Sequence, residues 1–100
     1  MEGSEFRNLK VILNRYAADP RLNVWHLGIL MAIVQLMKTV EFNIPISVSR
    51  KKIMELSRIG NYVTYHKYLS QLSDFGYILY NPSYHPGLGS QIILTIETGK

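Results

Sequence analysis
The stretch Ser49-Arg50-Lys51-Lys52-Ile53-Met54-Glu55-Leu56-Ser57-Arg58-Ile59-Gly60-Asn61-Tyr62-Val63-Thr64-Tyr65-His66-Lys67-Tyr68-Leu69 decides how this chain is read. Ser49 has the side chain that caps helix starts, and Ile53, Leu56 and Met54 give the next two turns an apolar side. The pattern predicts a helix over 50–57. Arg58-Ile59-Gly60 interrupts it, with Gly60 expected to take the positive φ of the turn. Asn61 then caps a second helix over 62–75, in which Val63, Tyr65, Leu69, Leu72 and Phe75 are expected to face inward. Gly76 is its expected stop. Two short helices joined by a tight turn containing glycine form a unit that presents its second helix outward.

The flanks complete the element list. Ile44-Pro45-Ile46-Ser47-Val48 reads as a short strand, with proline tolerated at its start. Tyr77–Tyr80 and Gln91–Ile96 read as two strands joined by a turn segment around Pro86-Gly87, a long-looped hairpin. Upstream, Asn23 is a credible cap for a helix over 24–40 that is apolar nearly all round, as a central helix would be. His26 and Gln35, which interrupt it, point in opposite directions and form no joint site. Over 5–18, Phe6, Leu9, Ile12, Leu13 and Tyr16 make one helical stripe, with Arg7, Lys10, Asn14 and Arg15 opposite and Asp19-Pro20 as the stop. That stripe has two available partners, the chain's own core or a second subunit. Residues 1–6 include Gly-Ser-Glu-Phe, which two adjacent cloning sites also encode, so both a native and a vector origin stay open. The expected division is an N-terminal helix over 1–20 followed by a domain over 21–100.

The fold class expected from this order is mainly α with a small antiparallel β-sheet. Three segments, Ile46 to Ile53, Asn61 to Leu72 and Phe75-Gly76-Tyr77-Ile78, resemble the winged helix-turn-helix family of DNA-binding proteins. The likeness covers about 42–96. More narrowly, Tyr65-His66-Lys67-Tyr68-Leu69 and the segment from Asn81 to Ser90 resemble small winged-helix proteins of bacterial mobile elements. The resemblance implies a bacterial DNA-binding protein whose second motif helix enters the major groove, active in transcriptional regulation or as an accessory factor in replication or recombination of a mobile element. It also implies a homodimer, because such regulators read two half-sites. One departure stands out: the expected wing has no Lys or Arg, only His85.

Charge supports that reading by its placement. The chain has 100 residues, 11 Lys/Arg and 7 Asp/Glu, a net charge of +4. Five of those bases, Arg50, Lys51, Lys52, Arg58 and Lys67, lie within 50–67 against Glu55 alone, and the rest of the chain is neutral. Bases at a helix start oppose the helix dipole. Arg50, Lys51 and Lys52 are therefore read as phosphate contacts rather than as helix stabilisers, and Arg58, in the turn, as a further one. Asn61, Tyr62, Thr64, His66, Lys67 and Ser70 are left facing outward as candidates to read bases, Thr64 as a partner for a thymine methyl. Asn61 also has its capping role, and Thr64 and His66 have the alternative of being simple exposed helix positions. Tyr84 and His85 are candidates to touch DNA from the wing tip. Tyr65, Tyr77 and Tyr80 are expected in the core or sheet.

Other classes are expected to be absent. Zero cysteines exclude a disulfide scaffold, a thiolate zinc site and a cysteine nucleophile. The three histidines have no metal-ligand spacing, no Gly-rich phosphate loop opens a helix, and nothing marks a catalytic triad. No enzyme activity, cofactor, metal or small-molecule ligand is expected. The longest apolar run, near Leu27 to Val34, is far short of the roughly 18 residues that span a bilayer, so no membrane partner and a cytoplasmic location are expected. The alternative of a different class is a winged helix serving as a protein–protein interaction module.

Overall fold
The structure is a computed structural model that describes residues 2–81 and 89–95, with side chains from Phe6 onward. Along the chain run α1 (Glu2–Ala18), α2 (Val24–Leu36), β1 (Pro45–Val48), α3 (Arg50–Ser57), α4 (Tyr62–Asp74), β2 (Ile78–Asn81) and β3 (Ser90–Leu94). The three strands form one antiparallel sheet in the order β1-β3-β2. Register pairs Ile46 and Tyr80 with opposite sides of Ile92, and Ile78 with Leu94. This is a winged-helix arrangement: a helix-turn-helix followed by a hairpin whose second strand also pairs with a strand preceding the motif.

One core holds these elements together. Ile29, Leu30 and Ile33 of α2, Ile53 of α3, Leu69 and Leu72 of α4, and Ile78, Ile92 and Leu94 of the sheet are all buried in it. Each such side chain contributes about 1.5–3 kcal/mol by leaving water. α2 is the central helix, as its all-round apolar sequence predicts, packing on both α3 and α4. Its end falls earlier than expected: Met37 turns extended (φ −87°, ψ 141°), and residues 37–44 leave the helix for the sheet. Neither glycine nor proline marks this stop, but β-branched Thr39 and Val40 favour extended backbone.

The start of α2 is unusual in its chemistry. Asn23 Oδ1 accepts from the N–H groups of Trp25 and His26, at 2.9 and 3.3 Å. His26 Nδ1 accepts from the Asn23 N–H in return, at 2.9 Å. This is a capping box with histidine in the place of the usual Glu or Gln. Because Nδ1 accepts, the ring proton sits on Nε2, which donates to Gln71 Oε1 at 2.7 Å. Buried His26 thereby ties the start of α2 to the last turn of α4.

α1 packs differently from its stripe. Of the five apolar residues only Ile12 is fully buried, while Phe6 is 65% exposed and Leu13 is exposed as well. The inward face instead carries Asn8, Ile12 and Arg15. Asn8 Nδ2 donates to Val40 O at 2.7 Å. Arg15 donates to Thr95 O at 2.7 Å and to Gly76 O at 3.2 Å, with its guanidinium 4.0 Å above the Tyr77 ring. Arginine covers apolar surface with its stem and meets carbonyls with its head, so its expected place on the solvent side was overturned. At the end of α1, Asp19 accepts from Arg21 and from the Tyr77 hydroxyl. The Arg21 hydrogen bonds hold the Asp19 carboxyl well below the usual carboxylate range. Burial, with help from Asp19, pushes the Tyr77 hydroxyl up to about 12.

Among the described residues, no helix is long and apolar enough to cross a membrane. Gly89 leads into β3 where a Cβ would lie 2.5 Å from Val48 O, so the backbone of the adjacent strand requires glycine there.

Candidate nucleic-acid interface
The helix-turn-helix forms where the sequence places it. Ser49 Oγ accepts from the Lys52 N–H at 3.0 Å, which caps α3. Asn61 Oδ1 accepts from the Thr64 N–H at 3.0 Å, which caps α4. The turn between them corrects one expectation. Arg58, not Gly60, takes the left-handed conformation (φ 63°, ψ 31°), and Gly60 needs no positive φ. The reason is Ile59. The N–H of Ile59 closes on Met54 O at 3.0 Å, and its side chain enters the core only if the residue before it reverses the chain.

Four of the named candidates meet at one place. Arg50, Lys51, Arg58 and Tyr62 line an open groove of about 830 Å³ between the start of α3 and the start of α4, floored by Met54 and Ile59. The Arg50 guanidinium lies 4.5 Å from the Tyr62 ring centroid, a cation–π contact that bridges the two helices. Lys52 turns instead to Glu55, with Nζ to Oε1 at 3.6 Å, an exposed pair of small energetic weight. The groove is therefore bordered by three cations and the single carboxylate of Glu55.

The candidates on α4 divide by position. Tyr62, His66 and Lys67 are exposed, Ser70 is half-buried between His66 and Lys67 on that face, and Thr64 is half-buried at its edge. The Tyr62 and His66 rings touch at 5.8 Å. Lys67 Nζ sits 5.2 Å from the ring of Tyr68, which stacks on Trp25 of α2 at 6.3 Å. His66 and Ser70 face a small cleft of about 140 Å³ beside Tyr80 of β2, closed at its far end by Asp74. That acid leaves the N-terminal half of α4 as the part suited to a polyanion. Asn61 Oδ1 serves the cap, so a bidentate contact to an adenine would have to share that oxygen. Tyr84 and His85 lie outside the described residues.

Val63 is the residue that sequence reasoning misplaced. Its expected place is the buried face, and it is 74% exposed. At 100° per residue it stands nearly opposite Tyr65, which is buried, and one turn before Lys67. The signal was present in the spacing: Tyr65, Leu69 and Leu72 follow steps of four and three, and a step of two does not join that stripe. Tyr65 is inside as expected, and burial pushes its hydroxyl up to about 12. Among the described residues, no group of three or more His, Cys, Asp or Glu is placed to hold a metal. Compared with family models, curated proteins and solved structures, the chain matches none.

Proposed function
We propose that this chain is a sequence-specific double-stranded DNA-binding protein, a transcriptional regulator that inserts α4 into the major groove. The observation that carries the reading is the groove where Arg50, Lys51 and Arg58 surround Tyr62 at the N-terminal end of an exposed helix face. In a helix-turn-helix the first helix crosses the phosphate backbone while the N-terminal turns of the second reach base edges. The three cations stand where the backbone would run, and Tyr62, Val63, His66 and Lys67 stand where base edges would be. The protein acts by occupancy, as a binding protein rather than an enzyme, in the cytoplasm. Phe6 and Leu13, exposed on α1, offer apolar material for a homodimer that would read two half-sites.

Mobility of labelled duplex at several salt concentrations tests this. If Arg50, Lys51, Lys52 and Arg58 each neutralise a phosphate, the log–log slope of affinity against salt is roughly −3 to −4 per subunit. Reversing the charge of Arg50 and Lys51 lowers affinity for all sequences alike. No retardation at low salt rejects the reading. Exposed Tyr62 and Val63 keep a second reading in play, a protein-interaction module, for which a salt-insensitive protein partner and no duplex binding would be found. An architectural role for a mobile element would give duplex binding with bending and little sequence preference.

A further inference from the structure
We propose that Val63 is a specificity-determining residue that packs against the C5-methyl group of a thymine in the major groove. The inference rests on the DNA-binding reading above and adds what that surface selects.

Three observations carry it. Val63 is a β-branched apolar side chain, 74% exposed, in the first turn of α4, the turn that reaches base edges. A valine there is a weak helix former and stays out of the core, so neither helix stability nor core packing accounts for it. It is also set beside cations: the Arg50–Tyr62 contact stands at the same helix end, and Lys67 follows one turn later. A free apolar group flanked by cations fits a ligand that is anionic at its edge and apolar at one point inside. The thymine methyl is the one apolar feature of the major-groove edge. Thr64, the other side chain with a methyl in this turn, is half-buried on the flank, and Asn61 Oδ1 serves the helix cap.

The placement also sets a distance. Side chains four apart on a helix are about 5–6 Å apart, and bases rise about 3.4 Å along a strand. A guanine read by Lys67 would therefore lie within about two base pairs of the thymine.

The test starts from the duplex enriched by the wild-type protein from a random pool. Each thymine in it is replaced in turn by deoxyuridine, which removes only the methyl. At one position the wild type loses about fourfold in affinity, roughly 0.8 kcal/mol. Val63→Ser loses nothing on the same replacement, and Val63→Thr, which keeps one methyl, keeps part of the loss. Thermal melting confirms that both variants are folded, as expected for an exposed position. If methyl removal affects Val63→Ser and wild type equally at every position, the inference is overturned while the DNA-binding reading stands. If the wild type enriches no sequence, or binds no duplex at all, both are overturned.

Discussion

Two helix ends in this molecule have the same backbone and different residues. α3 ends with Arg58 at φ 63°, followed by Ile59, whose N–H reaches back to Met54 O. α4 ends with Gly76 at φ 88°, followed by Tyr77, whose N–H reaches back to Leu72 O. In both, the N–H closes on the carbonyl five residues earlier, and the residue after the turn is buried. Glycine is the ordinary solution for this left-handed position, and a side chain there costs roughly 1–2 kcal/mol. The Gly76 turn is structural: its carbonyl accepts from both Arg15 and Thr95 Oγ1. The Arg58 turn has an exposed side chain that borders the cationic groove. Strain kept at a position where glycine would relieve it points to a use for the side chain, here the proposed phosphate contact.

The largest effect is expected on the structural side. Arg15→Ala removes two charge-assisted hydrogen bonds and the stacking on Tyr77, and leaves Thr95 O without its Arg15 donor. Loss of about 3 kcal/mol is expected, a fall in melting temperature on the order of 15 °C. DNA binding by the folded fraction should not change, since Arg15 lies away from the groove. Gly76→Ala comes next, losing about 1–2 kcal/mol because alanine cannot take φ 88° without strain. A Gly76→Ala protein as stable as wild type would remove the contrast between the two turns.

Arg58→Gly should move in the opposite direction. Stability rises by about 1 kcal/mol, or roughly 4–8 °C in melting temperature. Duplex affinity falls, and the salt slope becomes shallower by about one. A stabilised protein that binds duplex as tightly as before would show that Arg58 is strained without contributing to binding.

A smaller effect is expected from acid at the Tyr77 side. Asp19 has its pKa lowered in the folded state, chiefly by Arg21. Its contribution is therefore present above the unfolded value near 4 and is lost as pH falls below it. Arg21 is more than half exposed and so screened by solvent, although the Asp19 side chain is mostly covered, and the loss should be on the order of 1 kcal/mol. Asp19→Asn should flatten that part of the stability–pH curve in thermal melts.

The comparison also shows where sequence is readable. Local chemistry was legible: Asn23, Ser49 and Asn61 cap the helices they were assigned to, and Gly76 stops α4. Each rests on a side chain acting within a few residues of itself. The inward turn of Arg15 was not legible, because its partners are 61 and 80 residues further along the chain. His26 looked like a polar break in an apolar helix, since nothing local announces Gln71 as its partner. On the candidate site, the cationic cluster was legible from composition, whereas Val63 was lost by treating every apolar residue of α4 as core. The turn departs from expectation for a similar reason: glycine is the default holder of a positive φ, but the burial of Ile59 decides which residue must reverse.

The smallest effect tests that last point. Gly60 has open space around the position of a Cβ and no positive φ, so alanine fits there without strain. Replacing it should stabilise by about 0.4–1 kcal/mol, because the unfolded chain loses freedom that the folded chain does not use. Only one of the two residues flanking Ile59 in this turn can be the one that needs glycine. If Gly60→Ala destabilises while Arg58→Gly has no effect, the left-handed residue is Gly60, and Arg58 is unstrained and carries no sign of a phosphate contact. If Gly60→Ala stabilises and Arg58→Gly stabilises more, the turn is strained at Arg58 alone, one residue before Ile59 enters the core.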